Sequence, residues 1–239
     1  MKILILGDIH GRTIWKDIIE KESPDKVIFL GDYVSTHDNI SSETQIANLN
    51  DILDYKEANS SKVILLRGNH DIQHLGYYWA ECSGLDRKVL NYMSEDGFKK
   101  RFLSLTQWIH ADKELRTIFS HAGISEVWLS NLFIEKGIES IDDINKIEPC
   151  ELFGFLPNKL SDYYGTSVTQ PLTWIRPQTL VECNIEGYTQ VVGHTPFKNI
   201  INIKGDNNED IWLCDCLDNN QYLVIEDKVF IPKTFNYGN

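Results

Sequence analysis

Aspartate, histidine and asparagine recur in this chain directly after short apolar runs, in Gly7-Asp8-Ile9-His10-Gly11, Gly31-Asp32-Tyr33, Arg67-Gly68-Asn69-His70-Asp71, Ser120-His121-Ala122-Gly123 and Gly193-His194-Thr195. One Asp-x-His after a strand is ordinarily a turn or a cap. Five sets are different. Four of the seven histidines fall in them, and burying imidazoles and carboxylates together without a cation would leave unpaired charge and unsatisfied polar groups. Asp, His and Asn without cysteine make a mixed oxygen and nitrogen donor set. Such a set suits manganese, iron, zinc or nickel and is a poor match to calcium or a structural thiolate zinc site. Six such residues exceed what one ion with an open position needs. Two ions sharing a bridging carboxylate fit better, and paired ions are the usual apparatus for in-line attack on phosphorus.

The elements that must position these residues are legible in the hydrophobic pattern. Lys2 to Leu6, Val27 to Leu30, Val63 to Leu66, Thr117 to Phe119 and Gln190 to Val192 read as strands. Helical spacing follows the first in Ile14, Trp15, Ile18 and Ile19. It recurs in Ile46, Leu49, Ile52 and Leu53 after the cap-like Ser41, Ser42 and Glu43. Strand and helix in alternation predict parallel βαβ units in an α/β fold, with ligands at the carboxyl ends of the strands. Gly7, Gly31, Gly68 and Gly193 precede the polar groups, which fits close backbone approach. The stretches from about 75 to 110 and from about 125 to 164 break the rhythm and read as helical insertions. Beyond His194, the runs Ile200 to Ile203, Ile211 to Cys214, Tyr222 to Ile225 and Val229 to Ile231 are separated by turn signals and predict an antiparallel meander.

The chain has 239 residues, 42% hydrophobic and 24% charged, a balance that supports one sizeable core, and no linker-like stretch divides it. One domain over 1–239 is expected. Lys and Arg number 23 against 35 Asp and Glu, a net charge of −12. That charge disfavours extended nucleic acid and anionic membrane. It leaves room for a compact anion at a local positive site, because two divalent cations would outweigh the carboxylates that hold them. The first apolar run is too short for a signal-peptide core or a membrane span. Five scattered cysteines fit a reducing cytoplasm, and Cys214 and Cys216 read as small core residues.

These blocks, GDIHG at 7–11, GDYV at 31–34, LRGNHD at 66–71, SHAG at 120–123 and GHTP at 193–196, resemble the calcineurin-like metallophosphoesterase superfamily. The resemblance is in particular to its Ser/Thr protein phosphatase branch and that branch's bacterial and phage relatives, and the blocks stand in the family's order. The resemblance implies a β-sandwich flanked by helices with metals at the strand ends. It implies that Asp8 and His10 hold one metal, that Asp32 bridges, and that Asn69, His121 and His194 hold the second. Manganese is the leading candidate, with iron, zinc or nickel as alternatives. A water bridging the ions would be the nucleophile, and His70 would protonate the leaving oxygen, a role that requires it to be protonated near neutral pH. Two family residues are replaced: Ser35 stands where an acid supports the catalytic histidine, and Thr36 where an arginine grips phosphate. Asp71 or Asp38 is the candidate substitute beside His70. Arg176, in Trp174-Ile175-Arg176, is the candidate phosphate ligand, and Arg67 either reaches the site or pairs locally. His37, His74 and His110 are expected in solvated loops. Trp79, Trp108 and Trp128 are expected to pack the insertions, with Trp174 open as a contact beside Arg176.

The function expected from this set is a two-metal phosphatase acting on phosphomonoesters, with phosphoserine or phosphothreonine in proteins as one substrate class. The alternative is a nucleotide hydrolase acting on a dinucleoside polyphosphate or a cyclic nucleotide. A non-catalytic scaffold is disfavoured, because all six ligand types and His70 are retained.

Overall fold

The computed structural model describes residues 1–36, 38–155 and 165–237. Strands β1 (Lys2–Leu6), β2 (Lys26–Phe29) and β3 (Val63–Leu65) alternate with helices α1 (Trp15–Glu22) and α2 (Ser42–Ala58). All three strands are parallel, as the βαβ pattern demands. Ser41 starts α2 by accepting a hydrogen bond from the Thr44 N–H at 3.1 Å. The helices α3 (Asn69–His74), α4 (Arg87–Met93) and α5 (Asp96–Leu105) follow. Next come β4 (Ile109–Asp112), β5 (Thr117–Ser120), α6 (Glu126–Lys136), α7 (Pro177–Glu182) and β6 (Thr189–Val192). The last strands are β7 (Ile201–Lys204), β8 (Asp210–Leu213), β9 (Gln221–Glu226) and β10 (Val229–Thr234).

The strands form two five-stranded sheets, in the orders β10-β9-β1-β2-β3 and β4-β5-β6-β8-β7. The polar strand ends therefore come from two sheets, with Asp8, Asp32 and Asn69 following strands of one and His121 and His194 strands of the other. Alternation along β1 shows how the layers assemble. Ile3 and Ile5 join Phe119, Val191, Cys214 and Cys216 in an apolar layer drawn from both sheets. Leu4 and Leu6 point the other way, to Ile18, Leu49 and Ile52 of α1 and α2. On the far side, Val192, Ile211 and Leu213 pack against Leu180 of α7. Each buried aliphatic side chain is worth roughly 1.5–3 kcal/mol. A one-residue slip would turn each strand's apolar set to the wrong face, so these layers fix the register that delivers the polar ends.

Several expectations are corrected. The carboxyl-terminal strands are not one meander. The hairpin β7-β8 joins the second sheet, where β8 runs parallel to β6, and the hairpin β9-β10 joins the first, where β9 pairs antiparallel with β1. Turn signals report local pairing and carry no information on which sheet receives the hairpin. The stretch from 75 to 110 holds α4 and α5 but ends in a strand, β4, paired antiparallel with β5. His110 lies in that strand, half-buried and stacked on Phe119. His74 is fully buried in α3, with Nδ1 donating to the His70 carbonyl at 2.7 Å and Nε2 accepting from the Asp86 N–H at 3.0 Å. His37 and the end of the second insertion, 156–164, lie outside the described residues. Trp108 stacks on Phe153 with centroids 3.8 Å apart, and Trp128 packs against the same ring.

Candidate metal centre

The strand-end turns interlock before any ligand is considered. Ile9 and His10 N–H groups donate to the Asp32 carbonyl at 3.0 and 2.8 Å, and Gly193 N–H donates to the His121 carbonyl at 2.7 Å. The His194 N–H donates to the Asp8 carboxylate at 3.0 Å. His10, Asp32 and His194 all adopt left-handed backbone, with φ of 45°, 49° and 65°. Non-glycine residues tolerate that region only where surrounding structure holds them, which is common at functional sites. Two glycines are required by close approach. A Cβ on Gly68 would strike Asp32 Oδ1, and one on Gly193 would strike Asp8 Oδ1.

Asp71 is a main reason that Asp32 can hold its conformation. Its carboxylate is fully buried and accepts from the backbone N–H groups of Asp32, Tyr33 and Gly68, each at 2.8 Å. The bond from Gly68, the residue preceding α3, makes Asp71 the third-position cap of that helix. Burial and the neighbouring Asp32 push this carboxyl upward, and the hydrogen bonds from Gly68 and Tyr33 oppose them by favouring the charged form. With its oxygens committed to three backbone donors, Asp71 pins a turn and, among the described residues, makes no hydrogen bond or ion pair with the His70 ring. Asp38 pairs with Arg12 at 2.8 Å. Among the described residues neither carboxylate hydrogen-bonds to the His70 ring in the place of the replaced acid.

The turns bring together two groups of donor atoms, Asp8, His10 and Asp32 in one and Asp32, His121 and His194 in the other, each within 4.8 Å of one another. Asn69 Oδ1 lies 3.0 Å from both His121 Nε2 and His194 Nδ1, joining the second group. Asp32 belongs to both groups. The tautomers show that the set fits cations. His10 Nδ1 lies 3.0 Å from the Val34 carbonyl and His121 Nδ1 lies 2.9 Å from the Leu30 carbonyl, contacts that require N–H at Nδ1. In a neutral ring, the Nε2 lone pairs then face inward. That of His121 faces Asn69 Oδ1 and, at 3.4 Å, Asp32 Oδ2. Lone pairs converging from imidazole, amide and carboxylate repel one another unless positive charge stands between them, and carbonyl-fixed tautomers are a usual feature of metal-binding histidines. Without a metal, the site draws a proton instead. Burial would depress His121, yet Asp32 and Asp8 raise it to about 10. Asp8 is pushed up by burial and then by Asp215, whereas Asp32 is held low by the surrounding imidazoles against its own burial.

Asp8, His10, Asp32, Asn69 and His194 floor a cleft of about 350 Å³ whose wall includes Arg12, His70, Trp174, Arg176 and Asp215. Arg176 Nη1 donates to Thr195 Oγ1 at 3.1 Å, beside His194. Trp174 meets the His194 ring edge-on at 5.5 Å. The His70 N–H donates to Asp32 Oδ1 at 3.0 Å, and its ring stands edge-on to His10 at 5.7 Å. Burial pushes His70 down to about 4, against the attraction of Asp32. In the metal-free chain that burial favours the neutral ring. Arg67 pairs locally, donating to Thr106 Oγ1 and to the carbonyls of Leu103 and Thr106. Ser35 Oγ donates to the Gly84 carbonyl at 2.7 Å and Thr36 Oγ1 accepts from the Asp38 N–H at 2.9 Å.

The calcineurin-like phosphoesterase family model matches residues 1–222. The chain belongs to this family. A symmetrical bis(5'-nucleosyl)-tetraphosphatase from Buchnera aphidicola is 27% identical over 140 residues, covering 54% of this chain and 46% of that protein. The aligned segment thus spans about half of the curated relative. Among solved structures, a protein serine/threonine phosphatase from Saccharomyces cerevisiae superposes with a TM-score of 0.59 at 14% identity, over 100% of this chain and 81% of that one. A cold-active protein-tyrosine phosphatase from a Shewanella species gives 0.56 at 16% identity, over 97% and 77%. These likenesses show a shared two-sheet fold flanked by helices.

Arg12 and Asp215 also line the cleft, outside the five motif blocks. Arg12 directly follows the Gly7–Gly11 block. Asp215 lies between Cys214 and Cys216; the two cysteines face the core, so the residue between them faces the cleft. Period-two alternation was the available signal.

Proposed function

We propose that the chain is a metal-dependent phosphatase that hydrolyses phosphomonoesters. The observation that supports this most directly is the pair of donor groups sharing Asp32 on the floor of a cleft that also carries Arg176 and His70. In this reading Asp8, His10 and Asp32 hold one divalent cation, and Asp32, Asn69, His121 and His194 hold a second, with manganese the leading candidate. When bound, such a pair supplies Lewis acidity toward phosphoryl oxygens and makes an associated water more acidic. The chain's own residues do the rest. Arg176 binds a phosphate oxygen through charge-assisted hydrogen bonds. His70, on the first turn of α3, gives a hydrogen bond or proton to the leaving oxygen. Asp71 keeps the Asp32 turn in place. The five cysteines are all free thiols, which supports a reducing cytoplasmic setting. Among the described residues no helix is long and apolar enough to cross a membrane.

A second reading, a nucleotide hydrolase, is favoured by the activity in the name of the Buchnera relative and by Trp174 in the cleft wall beside Arg176. Side-by-side turnover with manganese on phosphopeptides, p-nitrophenyl phosphate, diadenosine tetraphosphate and cyclic nucleotides separates the two. Highest kcat/KM on the monoesters is expected. Turnover confined to the dinucleotide or to the cyclic nucleotides would replace the first reading by the second.

A further inference from the structure

The two cation positions are unequally supplied. The second has four protein donors and the first has three, Asp8, His10 and Asp32, although first-row ions in mixed oxygen and nitrogen sites accept up to about six ligands. Asp215 stands beside the poorer one. The chain after β8 packs directly on Gly7, so closely that a Cβ there would strike the Cys214 carbonyl and lie 3.2 Å from the Asp215 Cα. That contact places Asp215 next to the strand end that bears Asp8. Asp215 is 8% exposed and lines the cleft. Its backbone carbonyl accepts from Phe197 N–H at 3.0 Å, but no described residue donates a hydrogen bond to its carboxylate or forms an ion pair with it. A largely buried carboxylate with no protein donor and a second carboxylate beside it is disfavoured in a folded chain, even where it borders a cleft. Packing does not ask for it, because Cys214 and Cys216 satisfy the core on the other side.

We propose that Asp215 completes the first cation position from its open side, acting as a hydrogen-bond acceptor for a water rather than as a direct ligand. The choice of water follows from distance, because Asp215 is not in the Asp8, His10 and Asp32 group whose donor atoms lie within 4.8 Å of one another. The inference rests on the two-cation reading of the site. Asp215 is thereby a positioning residue, retained for the ion at a cost to the metal-free fold.

The test is Mn²⁺ titration by calorimetry and electron paramagnetic resonance on wild type, Asp215→Asn and Asp215→Ala, with thermal unfolding of each chelated protein. Wild type is expected to bind two ions. Asp215→Asn should weaken one position by about 10–100-fold, the range typical of partners one step beyond the ligands, and leave the other unchanged. Its chelated form should melt higher than wild type, because repulsion from Asp8 is removed. Two unchanged positions in both variants, equal weakening of both, or a chelated variant that melts lower or fails to fold would overturn the assignment of Asp215. Fewer than two ions on wild type would instead overturn the two-cation reading on which it stands.

Discussion

Asp71→Ala is expected to cost more stability than removal of any side chain that faces the cleft. The carboxylate serves the N–H groups of Asp32, Tyr33 and Gly68, each at 2.8 Å and all buried. Leaving a buried donor unsatisfied costs roughly 1–3 kcal/mol. Three of them give about 3–9 kcal/mol, and water entering the vacated space brings the expectation to the lower part, about 4 kcal/mol. That is a large share of the roughly 5–15 kcal/mol of an ordinary domain. Asp71→Asn keeps one accepting oxygen but turns an amide donor toward a backbone donor, so it should fall between wild type and alanine. Urea unfolding of the chelated proteins at pH 7 reads the difference. With a slope of roughly 3 kcal/mol per molar, Asp71→Ala should lower the midpoint by about 1.3 M. The left-handed Asp32, with φ 49°, loses its anchor in the same variant, so metal affinity should fall as well. His70→Ala, whose ring anchors no backbone turn, should shift the midpoint far less. An Asp71→Ala protein within 1 kcal/mol of wild type would refute the claim that these three hydrogen bonds hold the turn.

Other substitutions separate the remaining roles. His70→Ala should lower turnover of alkyl phosphomonoesters by about 100-fold or more while affecting p-nitrophenyl phosphate much less, because that leaving group needs little protonation; equal losses on both would remove the acid role. Arg176→Ala should raise KM by roughly 10–100-fold, the equivalent of one charge-assisted hydrogen bond, and steady-state kinetics with an unchanged KM would exclude phosphate contact. Glu22 accepts from Tyr222 Oη at 2.7 Å and Lys233 Nζ at 2.8 Å, tying α1 to β9 and β10. Burial alone would raise its carboxyl, but Lys233 and Tyr222 hold it below the ordinary 4.5. Its contribution is therefore present above pH 4.5 and lost as pH falls through the lowered value. Glu22→Gln should cost on the order of 1 kcal/mol at pH 7, and urea curves of the two proteins should converge toward pH 3.

The parts legible in the sequence were those encoded locally. Each of the runs before Asp8, Asp32, Asn69, His121 and His194 is a short β-branched or aliphatic stretch that stops at a turn, and chain-local pattern suffices to place such residues at strand ends. The donor chemistry was equally visible, since residue types alone state it. What escaped depends on contacts between distant segments. β4 reads Ile109-His110-Ala111-Asp112, half-exposed and without strong alternation, and it is a strand because β5 is there to pair with it. The β8 to β6 pairing and the β9 to β1 pairing are likewise set by the packed sheets. His74 looked like a solvated histidine because its two partners, the His70 carbonyl and the Asp86 N–H, are revealed only once α3 and the start of α4 meet. The support expected from Asp71 for His70 failed for a related reason, since adjacency in sequence said nothing of the three backbone donors that claim the carboxylate.

The central claim is that this chain holds two cations that share Asp32. Anomalous diffraction from a crystal grown with Mn²⁺ tests it directly. Two peaks are expected about 3.5–4 Å apart, with Asp32 between them, Asp8 and His10 on one side and Asn69, His121 and His194 on the other. A single peak, no peak, or peaks away from these residues would contradict it.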